Sequence, residues 1–155
     1  MKQTGPVPIL WAAFGAALGS TVVELLLWPI AGDDAIHNLL RDARLTAALV
    51  MGRSVLGASA GFDPTIMGVA TLVHAALSLA YAAVLARMVR NLSRGAALLA
   101  GGAFGLGLYG VNLHAFTALF PWFVPVRGAI TLVAHVVFGV TAAGVYCMVR
   151  RSPRA

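Results

Sequence analysis

The sequence predicts an all-α integral membrane protein, a bundle of four transmembrane helices with an additional amphipathic surface helix between the first two spans. Three observations carry that expectation. Of 155 residues, 60% are apolar and only 10% are charged, against about 25% charged in a typical soluble domain. The mean hydropathy is +0.89. The apolar residues fall into four stretches, each close to the roughly 20 residues a helix needs to cross the hydrocarbon core. A chain this short cannot cover itself with polar groups, so lipid is its natural solvent.

The spans are expected at about 7–30, 64–88, 95–120 and 126–149, in one membrane domain covering 1–155. The first starts near the N-terminus and resembles a signal peptide in having Lys2 before an apolar run. It continues through Leu25, Leu26 and Leu27, long enough to span, and no clean small-x-small site precedes a polar start. A retained helix is expected, closed by Pro29 and Gly32. Asp63-Pro64 opens the second span with an N-cap carboxylate and a proline at the first helical position. Ser93 is placed to cap the third. Phe120 to Pro125 reads as a tight aromatic turn before the fourth, and Trp28 and Trp122 fall at span ends, where indoles prefer the interface.

Residues 34–57 read as a helix lying on the outer surface. Ile36, Leu39, Leu40 and Ala43 share one face; His37, Asn38, Arg41, Asp42 and Arg44 share the other. Its expected role is a connector packed on the bundle, with a lid or partner-docking surface as the alternative.

Arginine placement sets the expected orientation. Arg87, Arg90 and Arg94 crowd the loop between spans two and three, Arg150, Arg151 and Arg154 follow span four, and Lys2 precedes span one. The opposite side carries Arg41, Arg44, Arg53 and Arg127, mixed with Asp33, Asp34, Asp42 and Asp63. The positive-inside rule puts both termini in the cytoplasm of a bacterial inner membrane. The net charge of +6 does not indicate nucleic acid, because the arginines flank apolar runs and form no aromatic-interleaved patch.

Small residues recur where helices must approach. Gly15 and Gly19 make one such step, and the third span carries Gly101, Gly102, Gly105, Gly107 and Gly110. The stretch Gly105 to Gly110 formally matches G-x-G-x-x-G, but it follows no strand and lies within a span, so close helix packing explains it better than a dinucleotide.

Ionisable residues within hydrocarbon are costly and ask for a reason. There are four: Glu24, His74, His114 and His135, one in each span. All fall in the outer half, within roughly 6 Å of a common depth at about 1.5 Å per residue. Thr71, His74, Ser78 and Tyr81 form one polar stripe, Thr131 and His135 lie on another, and Ser20 and Glu24 share a face. His114 shares a face with Thr117, well around its helix from Tyr109 and Asn112, and is the least certain to face the centre.

Three readings follow. Glu24, His74, His114 and His135 hold a transition metal, or His74 and His135 hold a haem b axially. The same groups carry protons or a small solute. Or the network fixes helix register, with each group satisfied by its neighbours. No H-E-x-x-H, C-x-x-C or nucleophile–base motif is present, so no catalytic residue is assigned and catalysis has no positive support. The single cysteine, Cys147, excludes an internal disulfide and reads as a small buried residue.

Asn112 to Phe123, followed by Ala134-His135-Val136-Val137-Phe138-Gly139, and the approach Phe62 to Met67 leading to His74, resemble a group of uncharacterised small bacterial inner-membrane proteins with four helices. Members sometimes carry the label sodium:proline symporter. Symporters of that class are several times longer and use broken helices from inverted repeats, which four short helices do not reproduce. The resemblance covers most of the chain after Phe62 and implies a four-helix inner-membrane protein, with no functional residue to transfer. The expected function is an accessory or structural subunit of a larger membrane complex, respiratory or redox, with lipid and a membrane-protein complex or second copy as partners. The alternative is a stand-alone protein that binds a metal or haem in the bundle core or conducts a small solute.

Overall fold

Proline and glycine punctuate the chain where the helices begin and end. The computed structural model describes residues 6–57 and 61–150, and these are helices and short connections, with no strand among them. Helix α1 spans Val7–Ile30, α2 Ala35–Met51, α3 Pro64–Val89, α4 Arg94–Gly110 and α5 Ala129–Val149. α1 starts with Pro8 in its first turn, where a backbone N–H needs no partner. It stops at Gly32, whose φ of +87° lets the Asp33 N–H fold back to the Trp28 carbonyl at 2.8 Å. Asp34 caps α2 through the His37 N–H at 2.9 Å. Asp63 caps α3 through Thr65 and Ile66 at 2.8 and 3.0 Å, and Ser93 caps α4 through Ala96 at 3.3 Å.

Four segments are long and apolar enough to cross a membrane: Val7–Ile30, Pro64–Val89, Arg94–Ala118 and Ala129–Val149. Their outward faces are studded with large apolar side chains, including Phe14, Ile30, Leu72 and Leu99. A surface of that kind suits lipid and not water.

α5 is the central element, packed along α1 on one side and α4 on the other, while α3 lies mainly against α1 and α2. The α4–α5 crossing depends on missing side chains. A Cβ on Gly101 would run into the Gly139 carbonyl, one on Gly105 into the His135 carbonyl, and one on Gly139 into the Gly101 carbonyl. Backbones in such contact gain dispersion along their whole length, the main attraction between helices in lipid. At the end away from α2 this packing makes a dry core of small residues, with Ala12, Ala16, Ala82, Leu85, Ala143 and Cys147 nearly fully buried. Arg150 closes that end by donating to the Arg90 and Leu92 carbonyls beyond α3.

The other end departs from the sequence expectation in three places. α4 does not run on to Phe120 as a regular helix. It passes into a π turn at Val111–Ala115 and a 3-10 turn at Phe116–Ala118. A further 3-10 turn at Pro121–Val126 takes the residues between, and α5 begins at Ala129 instead of Val126. A π turn breaks the regular ladder, and Pro121 and Pro125 cannot donate to one. The freed Leu113 carbonyl accepts from Arg127 Nε at 2.6 Å, and Arg127 Nη2 reaches Thr117 Oγ1 at 2.6 Å.

α2 is also shorter than expected, ending at Gly52 with φ +78° before a 3-10 turn at Arg53–Leu56. Its faces are redistributed. Ile36, read as inward, is 62% exposed, whereas Asn38 and Arg44, read as outward, are buried. The guanidinium of Arg44 explains this. It donates to the Val55 carbonyl at 3.3 Å and the Gly61 carbonyl at 2.7 Å, holding the chain that leads into α3. Trp122 locks the other side of α2 by donating from Nε1 to the Leu45 carbonyl at 3.2 Å, with the Arg53 guanidinium over its ring. Trp28, expected at the interface, is buried against protein.

Candidate functional site

A cavity of about 500 Å³ is enclosed by α2, α3, α5 and the segment that follows α4, and it reaches Ser20 and Glu24 of α1 and Leu108 of α4. Its walls are mostly apolar, as is usual for ligand pockets. The polar groups on them come from four of the five α-helices: Ser20 and Glu24 from α1, Asp42 and Thr46 from α2, His74, Ser78 and Tyr81 from α3, and Thr131 and His135 from α5, with Asn112 from the π turn. Period explains the set. His74, Ser78 and Tyr81 step by four and three along α3, and Thr131 and His135 step by four along α5, so each series shares one face. Thr71, expected to join the α3 stripe, lies outside the lining and donates to the Met67 carbonyl at 2.8 Å.

One wall is a directional hydrogen-bond chain. The Tyr81 hydroxyl donates to Asn112 Oδ1 at 2.8 Å. Asn112 Nδ2 lies 3.4 Å from His135 Nε2, and His135 Nδ1 lies 2.7 Å from the Thr131 carbonyl. A carbonyl only accepts, so the proton of His135 sits on Nδ1 and Nε2 accepts from the asparagine amide. Each partner thereby fixes the next, and the Tyr81 oxygen retains its lone pairs for a further donor.

The two ends of the cavity differ in what their ionisable groups meet. Asp42 accepts from Arg41 Nε at 2.8 Å. Burial nevertheless holds the Asp42 carboxyl above the ordinary carboxylate value, with the Arg41 hydrogen bond and charge opposing. Asp42 and Arg41 are the charged neighbours of Glu24. The Glu24 carboxyl itself makes no hydrogen bond with any described residue, and neither does the His74 ring.

Of the four ionisable residues singled out from the sequence, the cavity takes Glu24, His74 and His135. His74 is the titratable neighbour of His135. His114 lies outside the lining. It is exposed and meets the edge of Tyr109 at 5.5 Å, while Tyr109 meets His135 at 5.8 Å. Among the described residues no three His, Cys, Asp or Glu side chains are placed to hold one metal ion. For a haem, His135 would have to release Nε2 from Asn112 before it could serve as an axial ligand.

Two contributors escaped the sequence reading. Asn112 is not among the expected site residues, yet an amide alone in an apolar span is itself a costly group that needs partners. Asp42 was counted with the solvent face of α2, although it is three residues from Leu45, which packs inward. No family model, curated protein or solved structure matches the chain.

Proposed function

We propose that this protein binds a small, largely apolar molecule in the cavity enclosed by α2, α3, α5 and the segment after α4. It does so as a multi-pass protein of a bacterial inner membrane, with both termini cytoplasmic and α2 on the outer side. The observation that carries the reading is the pairing of a cavity of about 500 Å³ with two ionisable side chains, Glu24 and His74, that have no hydrogen-bond partner among the described residues. A network whose sole task is to fix helix register satisfies its own members, because an unsatisfied polar group in a low-dielectric interior is costly. The chain Tyr81–Asn112–His135–Thr131 is of that self-satisfied kind. Glu24 and His74 are not, and they face the same space.

The cavity shifts the balance from the accessory-subunit reading that the sequence favours to a binding role. It also favours an organic occupant over a bare metal ion, since the walls are mostly apolar and the ionisable groups do not converge.

Native mass spectrometry of the full chain, released from mild detergent, tests the reading. The wild type is expected to carry a small-molecule adduct. Ala134→Trp, which fills the cavity from α5, is expected to lose it while keeping its helical circular dichroism and elution volume. Identical spectra from the two folded proteins would overturn the binding reading. A Soret band that vanishes in His74→Ala or His135→Ala would replace it with the haem reading.

A further inference from the structure

The electrostatics of the cavity narrow the class of its occupant. Its lining holds two carboxylates, Glu24 and Asp42, and no lysine or arginine among the described residues. Asp42 has its own cation, Arg41, at 2.8 Å. Glu24 has no hydrogen-bonded partner and has Asp42 and Arg41 as its charged neighbours, so ionising Glu24 leaves the cavity net negative, a state that an entering cation favours. In surroundings of low dielectric an anion would be repelled and a cation strongly attracted.

The rings point the same way. Phe116, Phe120 and Phe123 line the cavity from the segment after α4, and Tyr81 and Phe138 line it from α3 and α5. Tyr81 and Phe138 already meet edge to face at 6.4 Å. Aromatic faces carry negative potential and attract cations, most strongly where water is excluded. A metal ion or a small hydrated ammonium would find few oxygen ligands here, because the polar groups are spread over five elements and most of the wall is apolar.

We infer that the occupant is a lipophilic organic cation, its charge paired with Glu24 and its apolar body held against the phenylalanine rings. The inference rests on the binding role proposed above and adds the charge of the ligand.

The test uses three tetraphenyl probes of nearly the same shape: tetraphenylphosphonium, tetraphenylborate and neutral tetraphenylsilane. Each is titrated against the full chain in nanodiscs, with protein-free nanodiscs subtracted. The phosphonium is expected to bind, at least about tenfold more tightly than the other two. Glu24→Gln is expected to remove that preference. Phe116→Leu with Phe123→Leu keeps the carboxylate and is expected to weaken phosphonium binding several-fold, an independent readout should Glu24→Gln fold poorly. Equal binding of all three probes, indifferent to Glu24→Gln, would overturn the charge assignment and leave the cavity reading intact. Binding of none would also overturn it, and the adduct experiment then decides the cavity reading separately.

Discussion

The Tyr81 hydroxyl donates to the Asn112 side-chain oxygen at 2.8 Å, bridging α3 to the π turn after α4. It is the one side-chain hydrogen bond described between those two segments, on the side where the bundle is least closely packed. Removing it should therefore loosen the α3–α4 gap and not the whole protein. Tyr81→Phe is expected to cost about 1 kcal/mol and Asn112→Leu more, because it also removes the contact with His135, with a coupling that makes the double variant little worse than Asn112→Leu alone. Thermal unfolding of all four proteins in one detergent measures this. Additive losses would show that the pair does not act as a unit.

The glycines of α4 are not equivalent, and this gives a sharp contrast within one helix. Gly105→Ala must push against the His135 carbonyl, while Gly107→Ala meets nothing within 4 Å. Gly105→Ala is expected to destabilise by about 1–3 kcal/mol or more, as overpacking does. Gly107→Ala is expected to be neutral or slightly stabilising, since alanine is the better helix former. Unfolding in mixed micelles separates the two, and equal effects would contradict the α4–α5 crossing described.

Arg127 replaces the hydrogen bonds that the broken end of α4 gives up. Arg127→Met should leave the Leu113 carbonyl with the Thr117 hydroxyl as its side-chain donor and the Thr117 oxygen without its donor, and cost about 1–3 kcal/mol. Hydrogen exchange is expected to rise at 113–120 and to stay unchanged in the core around Ala143. Unchanged exchange at both places would remove Arg127 from this role.

Asp42 gives the docking of α2 a pH dependence. Its carboxyl is held above the ordinary value of 3.8 by burial. Between the ordinary and the raised value, the folded state keeps a proton that the unfolded state has released. Stability therefore falls as pH rises through that window and is flat above it. Asp42→Asn removes the slope and raises stability at neutral pH, because the amide oxygen still accepts from Arg41 without the desolvation penalty. Unfolding followed from weakly acidic to neutral pH checks the sign. A variant less stable than wild type at neutral pH would show that the Arg41–Asp42 charge pair outweighs burial.

The sequence displays the fold through its period and punctuation. Asp63-Pro64 and Ser93 mark helix starts by chemistry that acts within a few residues, and the four apolar runs need only be counted. The cavity is legible in part, because the step His74–Ser78–Tyr81 holds in any regular helix. What could not be read is where regularity stops. The π turn at Val111–Ala115 is stabilised by Arg127, more than ten residues away, and no local rule couples them. The same holds for α2. Amphipathic period alone places Arg44 outside, whereas carbonyls of Val55 and Gly61, supplied by the following turn, draw it inside. Both surprises are arginines that satisfy backbone groups, so counts of arginine per loop mix orientation with structure.

Thiol protection tests most directly whether the cavity enclosed by α2, α3, α5 and the segment after α4 receives a ligand. In a Cys147→Ala background, Leu77→Cys places a thiol on the cavity wall, and Leu72→Cys places one on the apolar outer surface of α3. Tetraphenylphosphonium should slow alkylation of Leu77→Cys in nanodiscs and leave Leu72→Cys unchanged. Equal rates with and without the probe at both positions would contradict the account.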